Sequence, residues 1–362
     1  MTSTRRLGAE RSGERAALTT DVRVSGTMRA LVQHTYGGPE VLQLAQAPRP
    51  VPGPSEVLVR VAASSVNARD WHVMRGEPRL ARLFDRTHLA PRAPRIAVRG
   101  TDFAGVVDAV GPGVSRWRPG EAVLGEAHGA WAEYVVASQD ALAAVPASVS
   151  FEVAAALPLA ATTALSCLAA GNPRPGDRLL VNGASGGVGT FALQIARAQG
   201  LAITAVCSAR NAEQATSLGA DIVVDYRSED FCRRPERYDI VLDLVGNRRV
   251  NELRRLLRPN GTLVLSGGGV PGTGRYIGPL AMLARAQLLA LRPGPRIAIP
   301  QVQPTAKDLE NIAQLVLSGD VGPIVDRVLP LERGSEAVRY MEGEHAKGKV
   351  VLAVWTPRTP SV

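Results

Sequence analysis

The stretch VNGASGGVG, residues 181–189, decides how this 362-residue chain is read. It continues a short apolar run, DRLL at 177–180, and opens a segment in which Val188, Ala192, Ile195 and Ala196 recur at helical spacing. A strand therefore runs into Gly183, Gly186 and Gly189, and a helix leaves them. Small residues let a backbone approach a pyrophosphate closely, and a helix N-terminus offers it unpaired N–H groups and the positive end of a dipole. Glycines also serve plain turns, so the setting matters more than the triplet. Here AITAVC, DIVVDY, YDIVLDLVG and GTLVLSGG follow as further strands, with helical stretches near 213–218 and 249–257 between three of them. That alternation predicts an α/β fold with a parallel, doubly wound dinucleotide-binding sheet.

The end of the second strand selects the dinucleotide. Enzymes that use NAD usually place an Asp or Glu there, on the ribose hydroxyls. This chain reads Cys207-Ser208-Ala209-Arg210-Asn211, without a carboxylate. Ser208 can donate to a phosphate and Arg210 can pair with one bidentately, which points to NADPH. The competing reading of Arg210 is a solvated loop arginine. Cys207 reads as a small buried hydrophobe before it reads as a redox sensor.

Outward from this core the organisation changes. Residues 1–27 are polar and aperiodic and read as a disordered tail. Residues 28–150 are β-rich: EVLVRVAASSV, FAGVVDAVG, AVLGE and WAEYVVA alternate with Pro/Gly turns, which predicts a mainly antiparallel, partly open barrel. Residues 77–99 read as a long Arg/Pro-rich loop. Residues 300–362 supply two helices, near 307–317 and 335–341, and a last strand KVVLAV. The longest uncharged run, 153–170, is rich in alanine and contains Pro158, Thr162, Thr163 and Ser166, so it reads as a buried helix and not a membrane span. No apolar h-region follows the N-terminal arginines, as a signal peptide would require.

Charge and cysteines exclude other classes. The net charge is +9, yet Lys307, Lys347 and Lys349 are the only lysines, and the other 39 basic residues are arginines spread without a block. A nucleic-acid footprint is usually clustered, so nucleic acid is not an expected partner. Cys167, Cys207 and Cys232 are far apart and form no CxxC pair, which argues against a disulfide framework and for a reducing, cytoplasmic setting.

Taken together and in order, YGGPEVLQL, PGPSEVLVRVAASSVNARDW, GTDFAGVVDAVGPGV, GAWAEYVV, AAALPLAATTAL, VNGASGGVGT, LGADIVVDY, DIVLDLVG and HAKGKVVL resemble the medium-chain dehydrogenase/reductase superfamily, in its zinc-independent quinone oxidoreductase and enoyl reductase branch. The resemblance implies a GroES-like catalytic domain (28–150, with 300–362 returning to it) and a Rossmann NADP-binding domain (151–299) with the active site between them. It implies that Asn67 and Asp70 of VNARD line the nicotinamide side, with Asn67 able to polarise an acceptor oxygen; otherwise the two cap a turn and start a helix. Trp71 stands where the family often has an aromatic, and walls the pocket or fills core. Thr163 matches a threonine near the nicotinamide ribose or phosphate, or else bonds its own helix backbone. Gly183, Ser185, Gly186, Gly187, Val188 and Gly189 match the pyrophosphate turn; Ser208, Arg210 and Tyr226 match the 2′-phosphate cluster. Gln214 replaces a phosphate-binding lysine of many relatives. Asp243, Val245, Ser266 and Gly267 match strand ends beside the nicotinamide, and Lys349 of GKVV falls near the cleft or on a solvated strand. A homodimer through the sheet edge is implied by analogy.

Zinc members of the superfamily carry Cys and His-Glu ligands where this chain has Ser64-Ser65-Val66-Asn67 and Arg99-Gly100-Thr101-Asp102, and the five histidines show no ligand spacing, so no metal is expected. A nicotinamide unaided by metal suits hydride donation to a quinone, enone or other activated C=C bond of a small-molecule substrate. The other functions open to this sequence are an NADPH-binding protein with little turnover, serving a nucleic-acid or regulatory role, and an enoyl reductase dedicated to a pathway intermediate. The helix around 277–290 covers the cleft or joins a dimer interface.

Overall fold

The computed structural model describes residues 26–84, 89–267, 279–291, 293–302, 305–343 and 346–355. Most of the tail, residues 1–25, therefore lies outside the described residues, as do 85–88 of the Arg/Pro-rich segment and 268–278.

Six strands form the parallel sheet in the spatial order Ile222–Asp225, Ala202–Cys207, Arg178–Asn182, Tyr238–Asp243, Leu257–Leu265 and Arg296–Ala298. The chain winds outward in one direction from Arg178–Asn182 and then returns to start again beside it at Tyr238–Asp243. That reversal is the switch point of a doubly wound sheet, where strand ends diverge and leave a crevice. Five of these strands are the apolar runs expected from sequence. The sixth, Arg296–Ala298, was not anticipated: it is three residues long and only partly buried, too short for a pattern.

The second sheet has seven strands. Glu56–Val66 lies at its centre between Asp102–Val110 and Lys349–Ala353, with Tyr134–Ser138 also paired to it; Ala122–Glu126, Leu142–Ala144 and Val325–Pro330 complete the sheet. The C-terminal strands join the antiparallel sheet, and Val325–Pro330, parallel to Lys349–Ala353, was not read from sequence. A separate two-stranded sheet pairs Thr27–Val32 with Gln43–Pro48.

The uncharged run is not one helix but two, Phe151–Ala155 and Pro158–Gly171, because Pro158 cannot continue a helix and instead takes its first turn. The second ends on Asn172 at φ 54°. Its small side chains pack on both sheets: one continuous core joins Ala63, Ala104 and Leu124 of the antiparallel sheet to Ala160, Ala164, Leu168, Leu179 and Phe191 around the parallel one. This shared core fixes the two sheets against each other, so a cleft between them has rigid walls. Between 77 and 99 the reading of an unbroken loop needs correction, since Ala81–Phe84 forms a helical turn and Val98 bridges to Val32. The helix Pro279–Ala290 buries Ala286 and Leu289 in a core with Leu180, Val241 and Leu263, separate from the core the two sheets share, and leaves Leu288 exposed. Among the described residues no helix is long and apolar enough to cross a membrane.

Candidate active site

The crevice is built from the glycine turn outward. Gly183 leaves the strand at φ +89°, a conformation that costs glycine nothing and an L side chain a good deal. Gly186 caps the helix Gly187–Ala198 with extended backbone. Gly189 lets the helix touch the strand end: a Cβ there would lie 2.2 Å from the Gly183 carbonyl oxygen. The first helical N–H groups, which have no intrahelical acceptor, then border a cleft of about 370 Å³ lined by Gly183, Ser185, Gly186, Gly187 and Val188. A pyrophosphate fits this cradle of backbone donors and absent side chains.

At the far end of the same cleft stand Ser208, Arg210 and Tyr226. Ser208 is buried and follows the second strand; Tyr226 is half-exposed and follows the third, with the Arg227 guanidinium 5.9 Å from its ring. The structure therefore brings together the three residues matched to a 2′-phosphate. Asn211, which sequence reasoning passed over, also lines the cleft, and its Oδ1 is buried without a partner. Gln214 instead donates from Nε2 to the Lys347 carbonyl at 2.7 Å. Cys207 is buried and its thiol is pushed up by that burial and by Asp225, which suits a packed, protonated thiol.

A second lobe of about 620 Å³ opens past the turn and shares Asn67, Ala160, Gly183 and Val245 with the first. Thr163 and Ser266 line it, as does Gly189. The Thr163 hydroxyl donates to the Leu159 carbonyl at 2.6 Å, so the backbone-bonded alternative holds while its side chain still faces the lobe. Asp243 and Gly267 shape the site without lining it. Asp243 Oδ1 accepts from Asn182 Nδ2 at 2.8 Å and from the backbone N–H groups of Val245 and Gly246, both at 3.1 Å, which sets the loop that presents Val245. A Cβ on Gly267 would meet the Gly246 nitrogen at 2.6 Å.

The helix Ala68–Arg75 forms the opposite wall. Its period sends Asp70, Trp71 and Met74 inward and leaves Ala68, Arg69, His72 and Val73 on the cleft. Trp71 is therefore corrected: it is buried in the barrel core and lines neither lobe, while its ring stacks on His72 with centroids 3.8 Å apart. Asp70 is corrected as well. Its carboxyl accepts the Asn67 backbone N–H at 2.8 Å and the Thr101 hydroxyl at 3.0 Å, so it starts the helix and does not face substrate space. Asn67 does line both lobes. Its Oδ1 accepts from Lys349 Nζ, and its Nδ2 is buried with no partner.

Lys349 is no solvated strand residue: it is 3% exposed and lies 3.6 Å from the wholly buried Asp102. Asp102 escaped sequence reasoning, since only folding brings it to Lys349. Burial lowers the proton affinity of Lys349, against the opposing charges of Asp102 and Asp70. Burial, then Asp102, raise Asp70 to about 7 and Glu126 to about 8. An acid whose folded pKa exceeds its unfolded one leaves the native state holding extra protons. The stability it gives is full below its ordinary pKa of about 4 and is lost as pH rises through the folded value. Thermal stability is expected to fall between about pH 5 and pH 8, and Asp70→Asn, neutral throughout, to flatten that slope. Melting curves across this range check it, and an unchanged slope in the variant would remove Asp70 as the cause. Among the described residues no group of three or more His, Cys, Asp or Glu side chains is placed to hold a metal ion.

The comparisons agree with this geometry. A family model described as an alcohol dehydrogenase GroES-like domain matches residues 53–147, and one described as a zinc-binding dehydrogenase matches 218–352. The chain is 32% identical to a chloroplast envelope quinone oxidoreductase homolog of Arabidopsis thaliana, covering 90% of this chain and 98% of that one. It is 29% identical to an NADPH-dependent alkenal/one oxidoreductase of the same plant, over 92% of this chain and 82% of the relative. Among solved structures, the quinone oxidoreductase of Coxiella burnetii superposes with a TM-score of 0.79 at 28% identity, over 91% of this chain and 99% of that one. The GroES-like sheet, the doubly wound sheet and the relatives that share both over nearly their whole length place this chain in the medium-chain dehydrogenase/reductase superfamily, in its quinone oxidoreductase-like branch.

Proposed function

We propose that this protein is a zinc-independent, NADPH-dependent oxidoreductase that reduces a quinone, enone or other activated C=C or carbonyl substrate. The observation that carries the reading is Asn67: a side-chain amide at the junction of the two lobes, beside the glycine turn, with a buried N–H₂ that has no acceptor. A buried donor left unpaired is costly, which fits a group that awaits a ligand oxygen. In this reading residues 151–299 hold the nucleotide, 28–150 with 300–362 hold the substrate, and a second copy of the chain is the partner. The three cysteines are free, in keeping with a reducing compartment such as the cytoplasm.

NADPH, when bound, would supply the hydride that an electron-poor carbon accepts. The cradle at 183–189 would hold its pyrophosphate, and Ser208, Arg210 and Tyr226 its 2′-phosphate. On an activated C=C substrate, negative charge would gather on the conjugated oxygen. Asn67 Nδ2–H₂ would donate to that oxygen, and a proton from water completes the reduction at carbon. The donor set near Asn67 suits this better than a zinc alcohol site: the Ser64 and Ser65 hydroxyls both donate to Asp102, and the Asp102 carboxylate already faces the Lys349 ammonium.

Oxidation of NADPH followed by its absorbance, against a quinone, an enone and, with NADP⁺, a primary alcohol, is the direct test. Turnover of quinone or enone that EDTA leaves unchanged, with NADPH preferred to NADH, is expected. Arg210→Glu should reduce that preference by roughly 10- to 100-fold, the worth of one charge-assisted phosphate contact. Loss of activity in EDTA, or oxidation of the alcohol alone, would overturn the reading.

A further inference from the structure

We propose that Lys349 is a positioning residue that fixes the Asn67 carboxamide with its oxygen inward and its N–H₂ free, and so makes Asn67 a hydrogen-bond donor, never an acceptor, toward the substrate. The inference deepens the function proposed above and rests on it.

The placement follows from strand register. Lys349–Ala353 pairs antiparallel with Glu56–Val66, with Val350 opposite Val66, which brings Lys349 to Asn67. On the other side of Glu56–Val66, Asp102 lies opposite Ser65. Three adjacent strands therefore deliver Lys349, Asn67 and Asp102 to one end of the sheet. The lysine stem rests on the glycine turn, since a Cβ on Gly187 would meet Lys349 Cδ at 3.0 Å. Asp102 is held in turn: Oδ2 accepts the Ser65 hydroxyl at 2.9 Å and Oδ1 accepts the Leu159 N–H at 3.2 Å.

An ammonium has three donors and no acceptor. The atom of Asn67 that faces Lys349 Nζ must then be Oδ1, because the flipped amide would set N–H₂ against an ammonium. With Oδ1 committed, Nδ2 is the end that remains, and it is the one without a partner. Without the ammonium nothing would hold Oδ1 inward, and Nδ2 would be free to turn toward the Asp102 carboxylate that Lys349 now faces. Oδ1 would then meet the developing negative charge on the substrate, which is the wrong sign for catalysis.

Two measurements test this. Neutron diffraction from wild-type crystals distinguishes the N–D₂ end from the oxygen. Oδ1 facing Lys349 is expected; N–D₂ facing it overturns the proposal, whatever the protein's substrate proves to be and whether or not a Lys349 variant folds. The second measurement is a double-mutant cycle. Lys349→Met should lower kcat at least ~10-fold with NADPH affinity and substrate KM each within ~3-fold of wild type. In an Asn67→Ala background the same substitution should cost less than ~2-fold, because its effect passes through the amide. Equal losses in both backgrounds, or a loss confined to NADPH affinity, would overturn it. A wild type that reduces neither quinone nor enone refutes the proposed function instead, and the neutron map still decides the amide.

Discussion

Gly189→Ala should all but abolish NADPH binding and lower the melting temperature by roughly 5–10 °C. Helix propensity alone predicts the opposite, since alanine is favoured over glycine inside a helix by about 1 kcal/mol. The close approach decides the sign. The new Cβ would lie 2.2 Å from the Gly183 oxygen and 2.6 Å from the Ala184 carbonyl carbon and oxygen. All three are backbone atoms of the turn, so no side chain can swing aside. Either the helix Gly187–Ala198 lifts off the strand or the turn opens, and both scatter the N–H groups that would hold a pyrophosphate. Gly322→Ala is the control, because it lines neither lobe and its Cβ would meet only the Gln194 side-chain oxygen at 3.9 Å. Titration by nicotinamide fluorescence, with melting curves, checks both variants. A Gly189→Ala protein that binds NADPH within ~3-fold of wild type would show that the cradle is not the phosphate site; the expected loss is about 100-fold or more.

The contrast between these glycines shows what a sequence can and cannot give. The triplet, the strand before it and the helix after it are local, and local pattern was enough to find the turn and the doubly wound sheet. The sheet's long apolar runs announced themselves for the same reason. Arg296–Ala298 and Val325–Pro330 did not: the first is too short, and the second, with Arg327 and Val328 exposed, lacks an apolar stripe.

The wall formed by residues 67–75 was less legible. Resemblance supplied Asn67, Asp70 and Trp71 as a group, but a helix turns about 100° per residue, so the residues of one short motif are divided between its buried and its open face. Helical spacing from the buried Met74 would have sent Asp70 and Trp71 inward and Arg69, His72 and Val73 to the cleft. The Lys349–Asn67 contact spans 282 positions and reflects strand register, which no local pattern encodes. The same holds for Asp102, a residue that looks like an ordinary strand-end carboxylate until three strands are aligned.

Asn67→Ala should cut kcat by about 10²- to 10³-fold, the usual worth of one preorganised donor at a developing oxyanion. The fold should survive. The helix that begins at Ala68 is started by the Asp70 carboxyl accepting the residue-67 backbone N–H, which alanine keeps. Lys349 retains Asp102. NADPH affinity should stay within ~3-fold, because the pyrophosphate cradle and the Ser208, Arg210 and Tyr226 cluster are untouched. The signature lies in how kcat and kcat/KM move. A donor that strengthens only as charge reaches the substrate oxygen lowers both by the same factor, whereas one that merely binds substrate raises KM and spares kcat. Asn67→Asp sharpens the test. It keeps the shape and an acceptor for Lys349 but has no N–H to give, so it should be at least as slow as the alanine variant. If Asn67→Asp approached wild-type rates, or if Asn67→Ala lost less than ~5-fold, the donor would have to be sought elsewhere on the second lobe, with His72 and Ser266 the polar side chains there to examine next.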